Sequence, residues 1–207
     1  MPDWYREQSF MNGRSQELRS RLLDAAERLV AERELSGITV REISSAAGLS
    51  AGVLYNYFPD KNDLLLAALV GRYTDLLERY EAGLPEPGSG EVDENLASYA
   101  QASLELYADF LPLVARLLRD PPLLQRFLAE IHTHPLGVHR IRRPIADYLA
   151  GEQRLGRLAD VDVDVATDVV HGSVAMLALN GFLRGGGSGG EVAALVETLT
   201  HGLSPRP

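Results

Sequence analysis

The chain has 207 residues, no cysteine and a formal net charge of −9. That length supports one large or two small domains with a real core. The absence of cysteine excludes disulfides and thiolate metal sites, and the acidic balance argues against a generic binder of polyanions.

The N-terminal stretch MPDWYREQSFMNGRSQ is polar and lacks the apolar core of a secretory signal. No apolar run reads as a membrane span, so a cytoplasmic protein without membrane contact is expected. Residues 1–64 carry eight basic and ten acidic side chains, and the remaining residues twelve and nineteen. Neither part is a basic domain, so any contact with DNA must come from particular side chains.

The pattern is helical almost throughout, which predicts an all-α fold. Leu18, Leu22, Ala25, Leu29 and Val30 recur at three and four, one apolar stripe on a helix over about residues 15–34. Gly37 ends that helix. Thr39 followed by Glu42 spells a capping box, with Ile38 and Ile43 at the flanking apolar staple positions. The helix TVREISSAA then stops at Gly48, a residue type that tolerates a left-handed C-cap. Ser50 offers a second N-cap, with Leu49 and Leu54 as a second staple.

Two short helices joined by a glycine turn are the signature of a helix-turn-helix. Val40, Ile43, Ala47, Leu49, Val53, Leu54 and Phe58 point inward. Ala51, Gly52, Tyr55 and Asn56 point outward, with Tyr57 at the end. Small residues permit close approach to a groove, and the polar tips can reach bases or phosphates. Lys61 is the one lysine of the chain and falls in the first turn of the next helix, about 61–82, behind Asp60 as N-cap. A cation there meets the positive end of the helix dipole. A bound phosphate at that end would be favoured by both the lysine and the amides.

TVREISSAAGLSAGVLYNYFPDKNDLL resembles the DNA-binding segment of the TetR family of bacterial transcription regulators, in register over about residues 15–70. The resemblance implies a homodimer with a three-helix DNA-binding head and a helical regulatory domain. It assigns DNA contacts to Thr39, Arg41, Ser50, Ala51, Gly52, Tyr55, Asn56, Tyr57 and Lys61. Ser44 stands where the family usually has alanine, tolerable if its hydroxyl bonds back to a carbonyl of its own helix. The domain plan is an extension over 1–14 expected to be disordered, a DNA-binding domain over 15–62, and a ligand-binding and dimerisation domain over 63–207.

Beyond the loop 83–95, helices are predicted at 94–110, 112–119, 121–133, 136–155, 162–184 and 190–203, with GGGSGG (185–190) a flexible joint. Ala166, Gly172, Ser173, Ala175, Ala178 and Gly181 give one helix a face of small residues. Val169, Ser173, Met176, Val192, Leu195, Val196 and Leu199 are assigned to a four-helix dimer interface. Such a dimer spaces two recognition helices one DNA turn apart, so a near-palindromic operator is expected.

Tyr99, Tyr107, Phe110, Phe127, His132, His171, Met176 and Asn180 are candidates for an effector pocket, and the Leu, Val and Ala around them suggest a mostly apolar ligand. His132, His134 and His139 lie close in sequence, but Pro135 and Gly137 interrupt them, so no metal or cofactor is assigned. The chain shows no nucleophile elbow, phosphate loop or paired-carboxylate pattern, and no enzymatic activity is expected. The rival readings are a helical adaptor or an enzyme with a relic helix-turn-helix.

Overall fold

The structure, a computed structural model, describes residues 13–133, 137, 139–185 and 189–201. Among these, every regular element is helical. Helix α1 is Gly13–Glu32, followed by a 3-10 turn at Leu35–Gly37. Two short helices follow, α2 at Val40–Ala46 and α3 at Ala51–Leu54. The longer helices are α4 (Lys61–Glu81), α5 (Val92–Leu117), α6 (Pro121–Thr133), α7 (His139–Arg154), α8 (Val163–Arg184) and α9 (Gly189–His201).

The chain divides into two compact units, Met1–Asp75 with Leu113–Leu136, and Leu76–Pro112 with Gly137–Pro207. The first unit buries the α1 stripe at Leu22, Ala25 and Val30 under Ile43, Leu54 and Phe58. Each fully buried leucine or isoleucine of this kind contributes about 1.5–3 kcal/mol. Tyr73 meets Phe127 edge-on, ring centres 6.0 Å apart. The second unit has its own core, in which Leu96, Tyr99 and Ala100 pack with Tyr148, Leu149, Val170 and Val174.

Proline does not divide the chain where the sequence suggested. The expected helices 94–110 and 112–119 are one helix, α5, with Pro112 inside it. Proline removes one backbone bond and clashes with the preceding turn. Buried Leu104 and Leu106 before it, and Leu113 and Leu117 after it, hold the helix together nonetheless. Pro144 likewise lies inside α7, which begins at His139. The 185–190 segment opens with Gly185 as the left-handed C-cap of α8 (φ 69°), and α9 resumes at Gly189. Residues 186–188 and 1–12 lie outside the described residues, as does His134 of the histidine group.

Helix α8 also departs from expectation. By length and composition, with a mean hydropathy of 1.2, it could cross a membrane. It is apolar on opposite sides: Val170, Val174 and Ala178 enter the core, while Val165, Val169 and Met176 face outward. A helix apolar all round needs partners on more than one side.

Candidate nucleic-acid interface

The helix-turn-helix is fixed by bonds written into residues 38–64. The Thr39 hydroxyl accepts the Glu42 amide at 3.2 Å, and the Glu42 carboxylate accepts the Thr39 amide at 2.9 Å, closing the capping box. Arg33 adds an ion pair to Glu42 at 2.6 Å. The hydrogen bonds from Arg33 and Thr39 hold the Glu42 carboxyl down at about 2. Ile38 and Ile43 are both buried, as the staple requires.

Gly48 has φ 67°, and a Cβ there would come within 2.8 Å of the Arg21 guanidinium. The turn therefore needs glycine for its backbone. Ser50 occupies the second N-cap position, but its hydroxyl makes no capping bond. Ser44 is buried and its hydroxyl finds no partner, so the expected bond back to its own helix is absent.

Helix α3 is shorter than its sequence suggests. Its α-turn closes at Leu54, and Tyr55–Tyr57 are wound by tighter bonds, Asn56 N–H to Val53 at 3.1 Å and Tyr57 N–H to Leu54 at 3.0 Å. Such 3-10 tightening is common at helix ends. The faces survive it. Leu54 and Phe58 are buried, Ala51, Gly52, Tyr55 and Asn56 are exposed, and Tyr57 is half-buried. Tyr55 is 58% exposed, so its ring is not part of the core. A Cβ on Gly52 would meet no protein atom, so packing does not require glycine there.

Three cations from other parts of the chain bind the carbonyl ends of this head. Arg21 donates to Ala47 at 2.6 Å, behind the glycine turn. Arg116 donates to Val30 and Ala31 at 2.7 and 2.6 Å, capping the C-terminus of α1. Lys61 donates to the Ile38 carbonyl at 2.9 Å and is half-buried. Cations suit helix C-termini because the last carbonyls are unpaired and the dipole there is negative. Lys61 therefore has a structural partner that its sequence position, at the wrong end of α4 for a cation, did not reveal. Asp60 caps α4 as expected, accepting the Asp63 amide at 2.8 Å, whereas the Asp63 carboxylate pairs with Arg126.

Arg41 at the start of α2 is exposed, with no ion pair or hydrogen bond among the described residues. Both donors of Thr39 are taken up by Glu42, so Arg41 is the open donor at that helix start. Arg19, which sequence reasoning passed over, is buried with its guanidinium 5.0 Å from the Phe58 ring centre. It supports the recognition turn from behind.

The effector-pocket candidates separate. Phe127 and His132 fall in the first unit. Phe127 is fully buried, and exposed His132 donates from Nδ1 to the Leu128 carbonyl at 2.6 Å. The others fall in the second unit. There the Tyr107 hydroxyl meets His171 Nε2 at 3.2 Å, and the Tyr99 hydroxyl donates to Pro85 at 2.9 Å. Phe110 and Asn180 are half-buried, and Met176 is exposed.

The dimer candidates also divide. Val169 and Met176 are 44% and 56% exposed, whereas Val192 and Val196 are turned into the unit's own core. Ser173, Met176 and Leu195 line an open groove of about 590 Å³ along α8 and α9. Leu199 borders a larger one of about 970 Å³ with Leu96, Leu149 and Val170.

A short capped helix, a glycine turn and an outward-facing recognition turn, followed by a separate helical unit, define a DNA-binding regulator of the helix-turn-helix class. Residues 22–68 match the model of the bacterial regulatory proteins, tetR family. The chain is similar to the transcriptional repressor AcnR of Corynebacterium diphtheriae, 28% identical over 181 residues, 87% of each chain. It is similar to the transcriptional repressor KstR2 of Rhodococcus jostii, 44% identical over 62 residues, 30% of each chain.

Among solved structures it resembles a transcriptional regulator of Saccharomonospora viridis in complex with choline (TM-score 0.66, 23% identity, 92% of this chain and 100% of that one). It also resembles FadR of Bacillus subtilis in complex with stearoyl-CoA (TM-score 0.59, 20% identity, 89% and 99%). These two likenesses show the fold. Residues 22–68 are a DNA-binding segment of the TetR family of transcriptional regulators.

Proposed function

We propose that the protein is a ligand-responsive repressor that binds a near-palindromic operator as a homodimer and is released by a small, mostly apolar effector. The observation that carries this reading is the recognition turn. Its inner face is buried at Leu54 and Phe58, and its outer face offers only small or hydrogen-bonding side chains, Ala51, Gly52, Tyr55 and Asn56. Arg41, Tyr57 and Lys61 would bind phosphates. Asn56 and Tyr55 would reach base edges.

The outward apolar side of α8 supports the homodimer. Val165, Val169, Met176 and Leu183 repeat there at helical spacing and are all exposed. An exposed stripe of this extent marks an association surface, and two copies would satisfy it by the same contact. An effector acts by favouring a conformation whose two heads no longer match the half-site spacing. The protein needs no catalytic step for this, and as a soluble regulator it works in the cytoplasm.

The test is fluorescence anisotropy of the protein with the DNA upstream of its own gene against a scrambled duplex, at two salt concentrations, with sedimentation to give the oligomeric state. Sequence-selective, salt-dependent binding by a dimer is expected. Binding to neither duplex at low salt would overturn the regulator reading, and a stable monomer would overturn the dimer.

A further inference from the structure

Inside the second unit four uncharged polar side chains converge from three helices: Tyr80 of α4, Ser103 and Tyr107 of α5, and His171 of α8. Ser103 and Tyr107 are one helical turn apart and so share a face. Ser103 is 0% exposed, and its hydroxyl has no hydrogen-bond partner. It lies beside the Tyr80 hydroxyl, which itself donates to the Ile141 carbonyl at 2.9 Å. His171 meets Tyr107 through Nε2 at 3.2 Å, and its buried Nδ1 has no partner.

Two orphaned polar atoms in one apolar unit are costly, because neither recovers the hydrogen bonds it made with water. Whichever ring nitrogen carries the proton, Nδ1 is left wanting either an acceptor or a donor.

We infer that Ser103 and His171, with Tyr107 orienting the imidazole, form the polar anchor of the effector site, and that the effector is a neutral molecule presenting a hydroxyl or carbonyl oxygen on an apolar body. The inference rests on the proposed role as a ligand-responsive regulator. The neutrality follows from the surroundings. The nearest charges are spent on one another: Arg142 bonds Asp168 at 2.7 Å and Asp164 at 2.8 Å. Burial, together with Arg142, keeps the His171 pKa below its ordinary value.

A carboxylate or ammonium brought here would lose its hydration without gaining a counter-ion. A hydroxyl both donates and accepts, so it satisfies Ser103 and either tautomer of His171. Next to these polar residues along α5 and α8, Ala100, Leu104, Val170 and Val174 belong to the apolar core of the same unit.

The test compares ten-carbon probes that differ only at the head: 1-decanol, 2-decanone, decanoate and decyltrimethylammonium, each titrated calorimetrically into the full-length protein. The alcohol or the ketone is expected to bind at least about tenfold more tightly than either charged probe. Ser103→Ala and His171→Phe should each weaken the neutral probe about tenfold. Ser103→Ala should melt no lower than the parent without ligand, because it removes an unsatisfied hydroxyl and no bond.

Equal or tighter binding of a charged probe, no binding by either neutral probe, or unchanged affinity in both variants would overturn the assignment. Operator binding measured alongside separates this from the parent reading. Release of DNA by a charged probe keeps the ligand-responsive regulator and removes the neutral anchor. Failure to bind DNA removes the regulator whatever the probes do.

Discussion

Lys61→Met separates the observed bond of one ammonium group from the DNA contact proposed for it. Methionine keeps the apolar stem and removes the charge, so the bond to the Ile38 carbonyl (2.9 Å) is lost. A hydrogen bond to a charged group contributes about 1.5–3 kcal/mol. Partial exposure places this one at the low end. Removing a cation from the positive end of α4 returns a few tenths of a kcal/mol. The net expected loss is about 1 kcal/mol, or about 2–4 °C in melting temperature for a chain of this length.

The DNA role has a separate signature. Losing one phosphate contact from each head of the proposed dimer weakens operator and scrambled DNA alike and lowers the slope of log affinity against log salt by about 1.8. Urea unfolding gives the first quantity, and anisotropy at four salt concentrations, well below the melting temperature, gives the second. An unchanged salt slope would refute the phosphate contact and leave Lys61 as a fastening of the head. Unchanged stability would refute the weight placed on the Ile38 bond.

Arg116→Ala should cost about 2 kcal/mol in urea unfolding, since one guanidinium nitrogen serves two carbonyls in the last turn of α1; a loss below about 0.5 kcal/mol would show that water replaces it. Asn56→Ala should change which operator sequence is preferred in a binding selection, whereas equal loss on specific and random DNA would remove its base-reading role. Glu42 has a folded pKa lowered to about 2, so its contribution is present above the ordinary carboxylate value and lost as pH falls through the folded one. The stability gap between the parent and Glu42→Gln should be full at pH 7 and close between pH 4.5 and about pH 2. Glu27 has the opposite sign. Burial first, then Asp75 and Asp24, raise its pKa, so its contribution is present below the ordinary value and lost as pH rises through the folded one. Glu27→Gln should therefore melt higher than the parent at pH 7 and equally at pH 4.

The capping residues show what the sequence by itself determined. Thr39, Glu42, Ile38, Ile43, Gly48 and Asp60 act within five residues of their partners, so type and spacing alone fix the helix starts, the turn and the outward face of residues 51–56. Helix existence elsewhere followed from apolar periodicity in the same way.

Tertiary structure decided everything that depends on a partner far along the chain. Lys61 reaches Ile38, 23 residues away, and Arg116 reaches Val30, 86 residues away. No local pattern encodes such a pairing. Pro112 was read as a break because propensity is local, whereas the packing that holds α5 continuous on both sides of it is not. The same limit governs the regulatory unit. A sequence shows that His171, Ser103 and Val192 lie on helices, but only the packing of those helices decides that Val192 turns into the core and that Ser103 and His171 are left with polar atoms unsatisfied.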